Sequence, residues 1–368
     1  MKYKRIVIKI GTNLVNNEDN SLNIRFLESI ADQIAFLHKK GHQTVLVSSG
    51  AVASGRREIT LKKEGRNIPY RQVLAAVGQG ILINTYHEIF GKNGIKIAQA
   101  LLTNHDFMNR KSYITTRNIM DMLLSLGVVP IINENDVTTY DELKFGDNDM
   151  LSAKTATMIE ADLLIILTDV PCVYDKDPKK HKDAQCIRTI EKIDENIKRR
   201  ADKASSKRSL GGMATKIAAA EFATQEGIPV VIAGGKIENV ITKIVDEGKE
   251  IGTFIKTHAS KNENRKVWLK SKAKKGSRII VDDGAKNAIL KKGSSLLAIG
   301  IKGVLGNFQR GDVVEIVDLE KNVIGMGQSN YKAAQIKKIK GRNSKDIPEI
   351  LDTVFEEEVV HRDNMVVF

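Results

Sequence analysis

The chain has 368 residues, 42% of them hydrophobic, with 58 Lys or Arg against 45 Asp or Glu. That length suggests two domains or three, with enough apolar residues for real cores, so wholesale disorder is excluded. No apolar run reaches the ~18 residues of a membrane span, and the start lacks a signal-peptide core, so neither a membrane nor a secreted protein but a cytoplasmic one is expected. The net charge of +13 favours anionic partners, whether nucleic acid, an anionic surface or small molecules, without choosing among them.

Near-continuous Val/Ile/Leu runs occupy Arg5–Ile10, Thr44–Ser48, Ile95–Leu101, Val128–Asn133, Leu163–Thr168 and Pro229–Ala233. Continuous rather than alternating apolar runs mark strands buried on both faces. Between them, Ile24-Leu27-Ile30-Ala31-Ile34-Leu37 follows helical spacing up to Gly41, and Asn118–Leu126 does the same up to Gly127. Repeated strand–helix–strand units predict an α/β fold, a mostly parallel sheet sandwiched by helices, with ligands at the carboxyl ends of the strands. Near residue 255 the texture changes to a Lys/Arg-rich, weakly periodic stretch. It reads as a linker over 258–275 with an edge strand near Val267–Lys270. The short segments Arg278–Val281, Ser295–Ala298, Val313–Val317, Val323–Gln328 and Ala334–Ile339 then read as a small β-barrel. The predicted organisation is a catalytic domain over 1–257, a barrel over 276–353 and a C-terminal extension without assigned role over 354–368. Residues 270–368 carry 18 Lys/Arg against 13 Asp/Glu, so the basic character is not confined to the tail.

The chemistry is sought just after each apolar run. Lys9 lies inside the first strand ahead of Gly11; a buried lysine needs an anion or carboxylate, whereas an edge lysine needs only solvent. Ser48-Ser49-Gly50-Ala51 leads from strand to helix, which is either an ordinary turn or an anion site built from backbone N–H groups and a helix dipole. Asn133-Glu134-Asn135-Asp136 follows the fourth run, where an acidic group suits a substrate ammonium. Gly146-Asp147-Asn148-Asp149 opens a helix, and one cap explains only one of those polar residues. Gly211-Gly212-Met213-Ala214-Thr215-Lys216 opens another helix and suits a phosphate, although it does not have the P-loop spacing. No G-x-G-x-x-G follows the first strand, and no Ser/His/Asp or Cys/His nucleophile set stands out. Two lysines and several carboxylates at one sheet edge fit phosphoryl transfer, which relies on positioning and charge neutralisation. Cys172 and Cys186 make neither a disulfide framework nor a zinc pattern and are expected to be two reduced thiols.

In order and spacing, Lys9-Ile10-Gly11-Thr12, Ser48-Ser49-Gly50-Ala51, Asn133-Glu134-Asn135-Asp136, Gly146-Asp147-Asn148-Asp149 and Gly211–Lys216 resemble the glutamate 5-kinases of the amino acid kinase superfamily. The segment from Gly276 through Lys340 resembles their C-terminal PUA domain. The resemblance implies ATP- and Mg²⁺-dependent phosphorylation of the L-glutamate side-chain carboxylate, the first step of proline biosynthesis. It implies Lys9 and Lys216 as holders of the transferring phosphoryl group, oriented by Asp149. It implies Ser49, Gly50, Asn133, Asp136, Asp147 and Asn148 at glutamate. Lys9, Thr168, Asp169 and the run Leu210, Gly211, Gly212, Met213, Ala214, Thr215 and Lys216 would meet ATP. No residue is assigned as a protein ligand of a metal. It also implies feedback inhibition by proline, a homo-oligomer, and delivery of product to a glutamyl phosphate reductase. Two departures touch the nucleotide side: Ser209-Leu210 stands where the family has Gly-Thr ahead of Gly-Gly-Met, and Cys172 stands where Gly is common. The alternatives are a superfamily member acting on carbamate, acetylglutamate or a nucleoside monophosphate, and an RNA-binding protein working through its PUA-like domain. The acidic run argues against acetylglutamate, which has no free amino group, and the tail lacks a stacking-aromatic cluster for RNA.

Overall fold

The computed structural model describes residues 2–59, 68–138, 148–178, 180–204, 212–257, 273–351 and 356–368. The chain divides into two compact units, Met1–Ala259 and Ser260–Phe368.

The first unit runs β1 (Arg5–Ile10), α1 (Thr12–Val15), α2 (Ile24–Lys39), β2 (Gln43–Val47), α3 (Ala51–Glu58), α4 (Ile68–Lys92), β3 (Ile97–Leu102), α5 (Asn104–Met108), α6 (Arg110–Ser125), β4 (Val129–Glu134), α7 (Asn148–Met158), β5 (Leu163–Thr168), β6 (Thr189–Ile190), α8 (Glu195–Ala204), α9 (Met213–Gln225), β7 (Val230–Gly234), α10 (Val240–Val245) and β8 (Thr253–Ile255). The eight strands form one sheet in the order β3-β4-β2-β1-β5-β7-β8-β6. Every neighbouring pair is parallel except β7 and β8.

Strand alternation sorts β1 between two cores. Ile6, Ile8 and Ile10 face α2 and α4, against Leu27, Ile30, Ile34, Tyr86 and Phe90. Val7 faces the other side, with Leu151 of α7 and Ile217 and Ala220 of α9. Lys9 shares the parity of Val7, so the period of two delivers it to the face that α7 and α9 cover. The helix α2 follows its predicted stripe and starts at Asn23, whose side chain accepts from the Phe26 N–H at 3.3 Å.

Helix α4 has no counterpart in the sequence reading. It is apolar on most sides and contains Gly78 and Gly80, so neither periodicity nor propensity marks it. Its glycine serves a crossing: a Cβ on Gly78 would lie 1.8 Å from the Ala51 carbonyl, and one on Gly55 of α3 would lie 1.9 Å from the Leu74 carbonyl. Only bare backbone lets α3 and α4 approach this closely. The helix α6 begins at Arg110, well before the predicted Asn118, because Asn109 caps it by accepting from the N–H groups of Lys111 and Ser112.

The cysteine expectation is corrected. Cys172 and Cys186 are joined by a disulfide, with Cα atoms 5.9 Å apart. The segments carrying them run antiparallel, held by Ile187 N–H to the Val173 carbonyl at 2.8 Å and Asp175 N–H to the Gln185 carbonyl at 3.0 Å. That pairing is a tertiary event, and a spacing of 14 residues does not announce it.

The second unit contains β9 (Ala273–Val281), β10 (Leu296–Leu297), β11 (Ile301–Leu305), β12 (Val313–Val317), β13 (Val323–Gln328), β14 (Glu358–Val360) and β15 (Met365–Val367). A five-stranded sheet has the order β11-β9-β12-β13-β15, and β10 pairs with β14. The strands are antiparallel except β9 beside β12. Two sequence readings change here. Ala334–Ile339 is helical, within Ala333–Ile339, because Ala333, Ile336 and Ile339 recur at helical spacing and are buried around Phe308 and Tyr331. The residues set apart as an extension supply β14 and β15, so they complete this unit's sheets. The edge strand read near Val267–Lys270 and most of the 258–275 linker lie outside the described residues.

Candidate active site

The carboxyl ends of β1, β2, β4 and β5 and the starts of α7 and α9 bring the candidate residues into two connected groups. The first is charged. Asp149, in the first turn of α7, is fully buried; Lys9 and Lys216 are 2% and 4% exposed. Lys9 Nζ lies 2.5 Å from Asp149 Oδ1, and Lys216 Nζ lies 3.2 Å from Oδ2. Thr215 Oγ1 donates to the same Oδ2 at 2.9 Å or to the Gly212 carbonyl at 2.8 Å. Two ammonium groups meet one carboxylate in a low-dielectric site, which concentrates positive charge where an anion can be received. The sequence reading expected two lysines and several carboxylates at one sheet edge, and the resemblance implied that Asp149 orients the lysines; the fold sets both ammonium groups against that carboxylate.

The second group is neutral and rests on Asn148, the residue before Asp149. Its Nδ2 lies 2.9 Å from three acceptors: the Ser48 carbonyl, Ser49 Oγ and Asn133 Oδ1. Asn133 Oδ1 also accepts from the Glu134 N–H at 2.9 Å, and Asn133 Nδ2 donates to Gln79 Oε1 at 2.8 Å. Behind Ser49, Ser48 Oγ lies 2.7 Å from the Tyr86 hydroxyl. Asp136, after β4, is half-buried. Gly50 takes φ 109°, and a Cβ there would meet Asn16 Oδ1 at 2.7 Å and Val15 Cγ1 at 2.8 Å. Both the backbone and the space therefore require glycine at the start of α3. Among the described residues no side chain caps α3, so its first N–H groups face the site without a side-chain acceptor there.

At the mouth, Asp169 accepts from Asn13 Nδ2 and from Thr168 Oγ1, each at 3.0 Å. Burial pushes its carboxyl up, but those two bonds, its own backbone N–H and the charge of Lys216 outweigh burial and hold it below its ordinary value. Gly212, Met213, Ala214 and Thr215 are half-buried at the start of α9. Asp147, Leu210 and Gly211 lie outside the described residues, as does Ser209. Sequence reasoning missed Asn13, Gln79 and Tyr86. Asn13 directly follows the Lys9-Ile10-Gly11-Thr12 motif and could have been found there; the other two sit on the unread helix α4.

Residues 4–234 match the amino acid kinase family and residues 277–351 match the PUA domain. A glutamate 5-kinase of Thermoanaerobacter sp. (strain X514) is 43% identical over 363 residues, covering 99% of this chain and 97% of the relative. Glutamate 5-kinases of Methanococcoides burtonii and Pelobacter propionicus are 43% and 41% identical, covering 99% and 100% of this chain and 97% and 98% of theirs. Among solved structures, a UMP kinase from Bacillus anthracis superposes with a TM-score of 0.50 at 17% identity, over 70% of this chain and 97% of that one, a likeness of fold alone. By whole-length identity to these relatives and by the matched kinase and PUA segments, the chain belongs to the amino acid kinase family, in its glutamate 5-kinase group.

Proposed function

We propose that this chain transfers the γ-phosphoryl group of ATP to the side-chain carboxylate of L-glutamate, yielding γ-glutamyl phosphate and ADP and opening proline biosynthesis. The observation that carries the reading is the buried Lys9–Asp149–Lys216 cluster, one residue away from the neutral Asn148 network. The bond from the γ-phosphorus to the ADP oxygen breaks as a bond to a carboxylate oxygen forms. The acceptor is already ionised near pH 7, so no proton has to be removed and no general base is needed. The obstacle is repulsion between two anions. Lys9 and Lys216 offset it, and Asp149 holds both ammonium groups in place so that little reorganisation is needed as charge moves.

In this reading Ser49, Gly50, Asn133 and Asn148 bind glutamate and Asp136 meets its ammonium. Thr168, Asp169 and Leu210–Lys216 meet the nucleotide. The donor set fits a magnesium ion carried by ATP: Asp169 is an exposed, ionised carboxylate, and such an ion takes one or two carboxylates beside phosphate oxygens and water. The ion would supply further charge neutralisation on the phosphates. Proline competes with glutamate for the same pocket, the protein works as a homo-oligomer in the cytoplasm, and a glutamyl phosphate reductase consumes its unstable product.

The test is turnover with L-glutamate, ATP and Mg²⁺, trapping acyl phosphate with hydroxylamine, with and without L-proline. Glutamate-dependent hydroxamate suppressed by proline supports substrate, reaction and regulation together. Hydroxamate from acetylglutamate but not glutamate overturns the substrate assignment, and hydroxamate insensitive to proline removes the regulatory part.

A further inference from the structure

Ser48 Oγ carries one proton, and it donates that proton to the Ser49 carbonyl at 3.0 Å. The 2.7 Å contact with Tyr86 therefore runs the other way, with the phenol donating to Ser48. Both residues are fully buried. Burial pushes the Tyr86 phenol well above its ordinary value, more than its bond to Ser48 lowers it, so the donor keeps its proton at neutral pH. The result is a directed relay, Tyr86 O–H to Ser48 Oγ and Ser48 O–H to the Ser49 carbonyl. In a trans peptide the carbonyl and the following N–H point in opposite directions. Fixing the Ser49 carbonyl on the relay thus turns the Gly50 N–H away from it. That N–H is buried and finds no acceptor among the described residues. A buried donor left open is what a preorganised site offers to an anion.

We propose that Tyr86 is a positioning residue: through Ser48 it orients the Ser49–Gly50 peptide and presents the Gly50 N–H to an oxygen of the reacting anions, on the reading of function given above. Tyr86 lies on α4, which the Gly55–Gly78 crossing locks against α3. The helix that sequence patterning does not reveal is therefore the one that aims the acceptor side.

The test compares wild type with Tyr86→Phe, Ser48→Ala and the double variant. Serine labelled with ¹³C at the carbonyl and glycine labelled with ¹⁵N select only two peptides in this chain, 49–50 and 54–55. In Tyr86→Phe the Gly50 signal shifts while the Gly55 signal stays. The kcat/KM for glutamate falls about 5- to 10-fold, the share of one hydrogen bond, while the KM for ATP holds. A fall in kcat assigns the oxygen to the phosphoryl group, and a rise in glutamate KM assigns it to the carboxylate. Ser48→Ala costs as much, and the double variant no more than either, because each breaks the same relay. A packing defect gives multiplied losses instead. An unmoved Gly50 signal, an unchanged kcat/KM or multiplied losses overturns the proposal. Absence of glutamate turnover in wild type sinks the functional reading alone, since the Gly50 signal still decides the relay.

Discussion

Asn148 and Asp149 are neighbours in sequence, yet they organise opposite kinds of chemistry. Asp149 gathers two ammonium groups in a fully buried cluster, whereas Asn148 gathers neutral acceptors from β2 and β4. A helix turns about 100° per residue, so the first turn of α7 aims adjacent side chains into adjacent subsites. The charged half works by strength: few groups in a low dielectric, two ammonium groups on one carboxylate. The neutral half works by orientation, because an amide network carries no net charge and discriminates through the direction of its donors.

The largest effect should come from breaking the charged half at its centre. Asp149→Asn removes the buried carboxylate that both lysines meet. It should cost about 3–5 kcal/mol of stability, measured by chemical denaturation, together with nearly all turnover. Lys9→Ala or Lys216→Ala leaves a neutral pair behind, so stability should suffer far less. Turnover should still drop by about 10²–10³-fold, with glutamate binding little altered. Full turnover in either lysine variant would remove that residue from the mechanism.

The neutral half should respond differently. Asn148→Ala should raise the glutamate KM by about 10-fold while kcat stays near wild type, as expected for hydrogen bonds lost equally from ground and transition states. A pure loss of kcat would contradict the division between the halves.

The smallest effect lies in the second unit and sharpens the contrast with the buried cluster. Lys286 donates to Asp318 at 2.8 Å, and this bond, with those from Asn322, lowers the Asp318 carboxyl to about 2 against opposing burial. A carboxylate depressed on folding stabilises above its ordinary value near 3.8 and loses that stabilisation as pH falls through the folded value. Wild type should therefore exceed Asp318→Asn in stability above about pH 4, and the gap should close as pH falls toward about 2. A gap independent of pH would assign Asp318 a packing role.

Much of the first unit was legible because its central strands β1, β2, β4, β5 and β7 are buried on both faces. Such strands must be continuous Val/Ile/Leu runs, and the six read from sequence lie within two residues of β1–β5 and β7. The short β6 and β8 left no such run. Lys9 was legible because a lysine among Ile6, Ile8 and Ile10 is costly without a partner. Helix α4 was not legible, since a helix apolar on most sides and interrupted by glycines resembles no amphipathic pattern. Gln79 and Tyr86 went unseen with it. The helix Ala333–Ile339 was taken for a strand because a short apolar segment suits either period.

The sequence by itself determined the two-domain organisation, the parallel α/β core and the residue types at the strand ends, since local composition and spacing reflect burial and turn chemistry directly. Only the tertiary structure decided how closely Lys9 and Lys216 approach Asp149, that Cys172 bonds Cys186, and that Tyr86 stands behind Ser48. Each of these joins residues far apart in the chain, and no local pattern encodes the partner of a side chain; the packing of α4, α7 and α9 on the sheet does.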